Sequence, residues 1–223
     1  MPTKPTTLQI DPATEVSALW DKPRGAKAVL VLAHGAGAGM THKHMAATAE
    51  GLAERGIAVL RFNFAYMERD SKRPDNPPLA HAAIRAAVAQ GKKLAGDLPL
   101  FAGGRSFGAR MTSQAQAIDP LPGVRGLVYF AWPLHPAGKP GADRAEHLAA
   151  LRIPMLFLQG TADALAETKL LKPVIAKLGK RASLHLVEQA DHSFHVPAKS
   201  GRRDPDVMSE ILDVARDWML KQA

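Results

Sequence analysis

The segment from Leu98 to Thr112, LPLFAGGRSFGARMT, constrains the fold more than any other part of the sequence. Its first half is a short apolar run that ends in glycines, and its second half has the composition of a helix. Gly104, Ser106 and Gly108 fit the pattern G-x-S-x-G, which no other serine in the chain fits. In that pattern a tight turn between a buried strand and a helix lifts the serine above the sheet, and the glycines avoid collisions with neighbouring backbone. The segment predicts an exposed nucleophile at Ser106, although a glycine-rich turn without chemistry would fit the same five residues.

Similar apolar runs recur along the chain, and most of them are followed by a helical pattern. The runs that we predict as strands span residues 6–10, 15–20, 28–33, 57–61, 98–102, 126–131, 154–159 and 183–187. The predicted helices span residues 44–55, 79–94, 143–151, 165–178 and 204–221, with one more directly after the serine turn. Nearly continuous apolar strands that alternate with helices are typical of a parallel sheet covered on both faces. We expect a single α/β domain over residues 1–223, without an insertion long enough to form a separate cap domain.

Composition excludes several classes of protein. None of the 223 residues is a cysteine, so the chain has neither disulfides nor thiolate metal ligands. Residues 1–12 lack the apolar core of a signal peptide, and no apolar run approaches the roughly 18 residues of a membrane span. We therefore expect a cytoplasmic protein without a membrane partner. The net charge of +8 comes from scattered basic pairs without interleaved aromatic residues, which favours a solvated basic surface over a nucleic-acid partner.

Two more polar residues follow predicted strands and would lie at the same sheet edge as Ser106. Asp163 comes shortly after the strand 154–159, and His192 comes shortly after the strand 183–187. A serine hydroxyl becomes a good nucleophile when a base accepts its proton, and the base needs a third group to orient it. Because ligands bind at the carboxyl ends of parallel strands, these three residues predict a Ser-His-Asp catalytic triad.

Other roles for these residues remain open at the level of sequence. Asp163 could cap a helix that begins near Leu165, a role that does not conflict with orienting a histidine. His192 could be an ordinary loop histidine, in which case His195 is the second candidate for the base. Imidazoles and carboxylates near His42, His44 and Asp191 could also bind a metal, but their spacings match no strong zinc pattern, so we expect no metal.

The loop after the strand 28–33 is a candidate for binding an oxyanion. Its sequence, His34-Gly35-Ala36-Gly37, has small residues that would let backbone amides approach a substrate. We predict that the amides of Ala36 and Phe107 form the oxyanion hole, with Gly37 as a neighbour. A phosphate-binding loop is disfavoured, because the segment lacks the Lys-Ser/Thr of a P-loop and G-x-G-x-x-G fails at Met40.

Residues after the neighbouring strands are expected to wall the substrate pocket. The predicted substrate-binding residues are Gly37, Tyr66, Arg105, Trp132 and His135. The walls would come from residues 64–66, the loop that runs to Pro78 and residues 132–135, and their apolar and aromatic character suits a small acyl or aryl ester. Arg105 and Arg110 flank the serine turn, and Arg61 ends a nearby strand, so one of them could bind a substrate carboxylate. The alternative is that these arginines are solvated or pair with acidic residues.

Five segments carry a resemblance to a known family. They are His34–Gly37, Gly103–Arg110, Pro133–Pro140, Gln159–Asp163 and Ala190–Phe194. With them, the chain resembles small α/β hydrolases of the dienelactone-hydrolase-like type. It is most similar to the group that contains testis-expressed hydrolase-like proteins, the hydrolase-like domain of a non-specific-lethal histone acetyltransferase subunit, and small bacterial relatives.

The resemblance implies a fold and an activity. The expected fold is the α/β-hydrolase fold, a mostly parallel central sheet with helices on both faces, with Ser106, Asp163 and His192 at the triad positions. The expected function is a serine hydrolase that acts on a carboxylic ester or a related small acyl substrate through an acyl-enzyme, without a cofactor. Because some members of this group serve as scaffolds, the alternative is a non-catalytic interaction module with the same fold.

Overall fold

The computed structural model describes residues 3–223 and contains one eight-stranded sheet. The strands are β1 (Lys4–Asp11), β2 (Thr14–Asp21), β3 (Ala28–Ala33), β4 (Ile57–Phe62), β5 (Leu100–Arg105), β6 (Val124–Phe130), β7 (Met155–Gly160) and β8 (Ala182–Val187). The α-helices are α1 (Lys43–Glu54), α2 (Ala65–Glu68), α3 (Pro77–Ala95), α4 (Phe107–Ile118), α5 (Thr168–Leu178) and α6 (Asp204–Lys221). Short 3₁₀ helices span Asp143–Ala150, Gly179–Arg181 and Ala198–Ser200.

The strands are ordered β1-β2-β4-β3-β5-β6-β7-β8 across the sheet. In this order the six strands from β4 to β8 run parallel to one another, whereas β2 is antiparallel to both β1 and β4. Helices α3, α4 and α5 contribute to one hydrophobic core, and α1 and α6 contribute to the other. Successive residues of β3 point alternately into these two cores, which is why the whole of its sequence, AVLVLA, is apolar.

The predicted fold class is confirmed: the sheet is mostly parallel and helices cover both of its faces. Three local predictions differ from the structure. The segment predicted as a helix at 143–151 forms a 3₁₀ helix, and the helix predicted from 165 begins at Thr168. The strand predicted at 98–102 spans Leu100–Arg105 instead, so it includes the two glycines that precede the serine turn. Local side-chain and backbone hydrogen bonds, which a periodic pattern does not record, decide such boundaries.

The carboxyl ends of the parallel strands meet at one edge of the sheet, and the predicted site residues lie in the segments that leave this edge. No inserted domain covers this edge within residues 3–223, where the connections between strands contain only the helices given above and loops. In the same part of the chain, no helix has both the length and the apolar composition needed to cross a membrane.

Candidate active site

Ser106 lies in the turn between β5 and α4 with a strained backbone. Its φ is 50° and its ψ is −114°, a region that residues with a side chain rarely adopt and that costs of order 1–3 kcal/mol. Its amide donates a hydrogen bond to the carbonyl of Phe130, 3.1 Å away on the neighbouring strand. A Cβ atom at Gly104 or Gly108 would lie 2.6 or 2.5 Å from the carbonyl oxygen of Ala33, so both positions require glycine. The turn predicted from G-x-S-x-G is therefore present, and its glycines allow β3 to approach the serine.

The structure brings Ser106, His192 and Asp163 together in one hydrogen-bonded chain. The His192 Nε2 atom lies 2.8 Å from the Ser106 hydroxyl, and its Nδ1 atom lies 2.7 Å from Asp163 Oδ2. The Asp163 side chain is fully buried, whereas the His192 side chain is 24% exposed. With Nδ1 donating to the carboxylate, Nε2 is left as the acceptor for the serine proton.

Asp163 is fixed by two further donors. Its Oδ1 atom accepts a hydrogen bond from the Leu165 amide at 2.8 Å, and its Oδ2 atom accepts one from the side chain of Gln159. The bond to Leu165 closes a local turn, so Asp163 does not cap α5, whose N-terminal flanking residue is Glu167. Gln159 was not predicted as a site residue, although it is the one polar side chain in the buried strand β7 and could have been found on that ground.

A tight loop after β8 presents His192. The Asp191 carboxylate accepts hydrogen bonds from the amides of Ser193 and His195, at 2.7 and 3.0 Å. Phe194 is buried in this loop with a φ of 60°. His195 was the second candidate for the base, but its ring is exposed and its Nδ1 atom lies 2.8 Å from Asp204. The contact to Ser106 is therefore made by His192.

Arg105 contacts the histidine loop. Its guanidinium donates a hydrogen bond to the backbone carbonyl of His192 at 3.0 Å, and it lies 5.9 Å from the centre of the Phe194 ring. Burial lowers the pKa of Arg105, while the negative charges of Asp191 and Asp163 raise it. Its predicted role in substrate binding stays a prediction, and its observed contacts are with the loop that carries His192.

The loop after β3 lies against the serine turn. A Cβ atom at Gly35 would lie 3.6 Å from the Ser106 Cβ, so the two backbones are adjacent. Within residues 3–223, the amides of Ala36 and Phe107 have no hydrogen-bond acceptor. The amide of Gly37, in contrast, donates to the hydroxyl of Tyr66 at 3.0 Å. Two free amides beside the nucleophile suit an oxyanion hole, and Tyr66 holds the loop that contains one of them.

His34 anchors the same loop as a neutral imidazole. Its Nδ1 atom lies 2.7 Å from the carbonyl of Gly35, and its Nε2 atom accepts a hydrogen bond from the Phe64 amide at 3.0 Å. Burial lowers the pKa of His34 to about 4. The rings of His34, Phe64 and Phe107 pack edge to face beneath the serine turn, with centroid separations of 4.8 and 5.2 Å.

Several predicted wall residues are buried in the packing around the site. Trp132 is fully buried, with its indole N–H directed at Ser113 and its ring against Phe157. His135 is also buried, and its amide donates to the carbonyl of Leu165 at 3.0 Å. Both residues therefore support the segments that form the site, and their predicted role in substrate binding stays a prediction.

The structure also bears on two alternatives that the sequence left open, namely substrate binding by Arg61 and a metal site near His42 and His44. Arg61 is buried and pairs with Asp21 at 3.0 Å, so it is not free to bind a substrate. The rings of His42 and His44 stack on each other at 5.3 Å. Across residues 3–223, no three histidine or carboxylate side chains are grouped so that they could bind a metal ion.

Comparison with known proteins places this geometry in a family. Residues 26–220 match the family model described as an alpha/beta hydrolase domain. Among solved structures, a dienelactone hydrolase from Anabaena variabilis is 17% identical with a TM-score of 0.77, covering 99% of this chain and 97% of its own. An α/β serine hydrolase without a lid from Xanthomonas campestris is 22% identical with a TM-score of 0.74, covering 98% of this chain and 96% of its own.

A third similar structure is Est1E from Butyrivibrio proteoclasticus with bound ferulic acid, at 17% identity and a TM-score of 0.78, covering 97% of this chain and 98% of its own. At these identities the similarity concerns the fold. The match to the family model extends over nearly the whole chain, from before β3 into the last turn of α6. The predicted resemblance is thereby confirmed: the chain belongs to the alpha/beta hydrolase domain family and has a dienelactone-hydrolase-like fold.

Proposed function

We propose that this protein is a serine hydrolase that cleaves carboxylic esters through an acyl-enzyme. The observation that carries the proposal is the unbroken hydrogen-bonded chain from buried Asp163 through His192 to Ser106, at a strained turn. Family membership and the fold shared with proteins described as esterases and serine hydrolases also support it.

In the first half of the reaction, Ser106 Oγ attacks the ester carbonyl while His192 Nε2 accepts the hydroxyl proton. The negative charge that develops on the carbonyl oxygen is stabilised by the amides of Ala36 and Phe107. Asp163 holds the ring of His192 and stabilises the imidazolium. The bond to the alcohol oxygen then breaks, and the imidazolium donates its proton to the leaving alcohol.

In the second half, water replaces the alcohol. The water oxygen attacks the acyl carbon while His192 Nε2 accepts a proton from that water. The bond between the acyl carbon and Ser106 Oγ then breaks, and the imidazolium returns the proton to Ser106 as the carboxylic acid leaves. The buried carboxylate favours this cycle because its other partners, Gln159 and the Leu165 amide, keep it oriented toward the imidazole.

Hydrolysis of 4-nitrophenyl acetate by purified variants tests this function. Ser106→Ala is expected to lower kcat by at least about 10³-fold, and Asp163→Asn by about 10³- to 10⁴-fold. The control is Ser209→Ala, at an exposed position on α6, which should keep the wild-type rate. A Ser106→Ala protein that keeps its esterase activity would overturn the proposal. Absence of activity in the wild type would favour the non-catalytic interaction module instead.

A further inference from the structure

The strand β8 is the last strand on one side of the sheet, and it lacks the features that protect the strand on the other side. Its sequence, ASLHLV, contains neither proline nor lysine, and its pairing with β7 is continuous over all six residues. The opposite outer strand, β1, carries Lys4 and Pro5, and its pairing with β2 is irregular between Gln9 and Asp11. Charges, prolines and irregular pairing keep outer strands from pairing with other chains, so β8 is the more open of the two.

Backbone hydrogen bonds show which residues of β8 face outward. The carbonyl of Val187 accepts a hydrogen bond from the Thr161 amide at 2.9 Å, so the backbone groups of Val187 point toward β7. The direction of the backbone N–H and C=O groups alternates from one residue of a strand to the next. The backbone groups of Ala182, Leu184 and Leu186 therefore point away from the sheet.

Most of these outward groups have no partner within residues 3–223. The Ala182 amide donates a hydrogen bond to the carbonyl of Gly179, in the preceding 3₁₀ helix. The amides of Leu184 and Leu186 and the carbonyls of all three outward residues accept or donate no hydrogen bond in this part of the chain. The side chains of Leu184 and Leu186 are half-buried, so apolar surface accompanies the unpaired backbone groups.

One antiparallel register pairs all three outward residues with those of a second copy of the chain. In an antiparallel pair, residues whose backbone groups face the partner strand lie opposite each other and exchange hydrogen bonds. In this register Leu184 lies opposite Leu184 of the second copy, and Ala182 lies opposite Leu186. The two Leu184 residues exchange both of their hydrogen bonds, and the Leu186 amide of each copy donates to the Ala182 carbonyl of the other.

The same register brings opposite charges together. Lys180 and Glu188 lie four residues before and four residues after Leu184, so each Lys180 lies opposite Glu188 of the second copy. Both side chains are exposed, and neither forms a salt bridge within residues 3–223. The outer side of β8 is thus complementary to itself in backbone groups and in charge, as an interface around a twofold axis requires.

We propose that two copies of this protein form a dimer through β8, with the two strands antiparallel and a twofold axis at Leu184. The sheets of the two copies join into one continuous sheet, which gives the unpaired backbone groups of β8 their partners. The inference does not depend on the proposed ester hydrolysis, because none of the three triad residues lies in β8.

Sedimentation velocity of the full chain over a dilution series tests the dimer and its register. The wild type is expected to sediment with twice the chain mass of 23.9 kDa and to dissociate on dilution. Glu188→Lys places like charges opposite each other at both symmetry-related positions, so the Kd of the dimer should rise by at least about tenfold. The double variant Lys180→Glu/Glu188→Lys restores opposite charges and should return the Kd to within about threefold of the wild type.

Glu15→Lys is the matched control, because it reverses the charge of an exposed glutamate on β2, on the other side of the sheet. It changes the net charge of the chain as much as Glu188→Lys does. It should leave the Kd within about twofold of the wild type, since distant surface charges are screened by salt. Circular dichroism and thermal unfolding establish that each variant is folded.

Cross-linking tests the position of the twofold axis directly, because a chain without cysteine reports on a single introduced thiol. The two copies of the exposed residue Ser183 are diagonal neighbours in the proposed register, about 7–8 Å apart. A short bis-maleimide should therefore join Ser183→Cys protein into a covalent dimer. Ser209→Cys should give no covalent dimer, because Ser209 lies on the side of α6 that contacts Arg55 of α1.

Three results would overturn the proposal. The first is a wild-type chain that stays monomeric at every concentration, which would leave β8 open to a strand of a different protein. The second is a dimer whose Kd is the same for the wild type and Glu188→Lys. The third is a dimer in which the bis-maleimide does not join Ser183→Cys, which would place the interface elsewhere on the surface.

Discussion

The guanidinium of Arg105 donates a hydrogen bond to the backbone carbonyl of His192, at 3.0 Å. Arg105 is the last residue of β5 and directly precedes Ser106, so this bond ties the nucleophile turn to the loop that presents the base. The ring of Phe194, 5.9 Å from the guanidinium, adds a second contact between the same two segments. The relative position of base and nucleophile therefore depends on a side chain that does not itself belong to the triad.

Replacing Arg105 with alanine should impair turnover of all esters alike. Without the hydrogen bond to His192, the base loop is less well fixed, and a small misplacement of a catalytic group can reduce rate about 10- to 100-fold. We expect this loss in kcat, with little change in KM, for both 4-nitrophenyl valerate and mono-4-nitrophenyl glutarate. Arg105→Lys should restore part of the activity because an ammonium can still donate to the carbonyl. A loss confined to the anionic ester would contradict this positioning role and would favour substrate binding by Arg105.

Tyr66→Phe tests whether the loop after β3 must be held in place. The variant removes only the hydroxyl that accepts a hydrogen bond from Gly37, and the buried ring keeps its packing. A hydrogen bond of this kind contributes about 0.5–1.5 kcal/mol, so kcat/KM for 4-nitrophenyl acetate should fall by about 2- to 12-fold. Unchanged kcat/KM would show that the neighbouring oxyanion-hole amides do not depend on this contact.

Gly103→Ala should destabilise the protein through a backbone collision. A Cβ atom at Gly103 would lie 1.8 Å from the carbonyl oxygen of Val128, so β5 and β6 would have to separate. We expect the free energy of unfolding in urea to fall by about 1–3 kcal/mol, or by more if the strands cannot adjust. The matched control is Gly141→Ala, because a Cβ atom there meets nothing within 4 Å. Equal stability of the two variants would contradict the strand packing described here.

Acid should destabilise the fold partly through His34. Its pKa is about 4 in the folded protein, against an ordinary value of 6.5, because burial disfavours the charged imidazolium more than the contact with the Gly35 carbonyl and the charge of Asp75 favour it. The unfolded chain therefore binds a proton at a higher pH than the folded chain, so stability falls as pH decreases from 6.5 toward 4. For this residue the loss approaches about 3 kcal/mol near pH 4.

Urea unfolding at pH 7.5, 6, 5 and 4.5 measures this effect. His34→Gln, whose side-chain oxygen can still accept from Phe64, should be less stable at neutral pH but lose less stability as the pH is lowered. The control His42→Gln changes an exposed histidine and should keep the wild-type pH dependence. If His34→Gln and wild type lose stability in parallel, the buried imidazole is not responsible.

Much of the fold and of the candidate site could be predicted because apolar strands, polar site residues and helices follow one another regularly along the sequence. Each parallel strand is an apolar run, and Ser106, Asp163 and His192 each follow such a run by a few residues. Since the carboxyl ends of parallel strands meet at one sheet edge, the position of each residue just after a strand was enough to place all three at that edge. The strand β3 has its predicted bounds, and the other strands differ from their predicted bounds by at most two residues at either end, except β5, which extends to Arg105.

The remaining features depend on how loops and side chains pack, which a periodic pattern does not encode. Burial of Trp132 follows from its packing against Phe157, and no residue near it in the sequence indicates this contact. The late start of α5 follows from the bond between Asp163 and the Leu165 amide. The partners of Arg105 become neighbours only when the loop after β8 returns across the sheet edge, 87 residues further along the chain.

The most direct test of the account is covalent labelling with a fluorophosphonate, read as intact mass and as the position of the modified peptide. The account predicts a single adduct on Ser106, because His192 lies 2.8 Å from its hydroxyl and can accept its proton. No adduct should form on Ser106→Ala, although Ser113 remains in hydrogen-bond contact with His147. Failure to label the wild type under conditions that modify a known serine hydrolase, or an adduct on Ser113 instead, would contradict the central claim that Ser106 is an activated nucleophile.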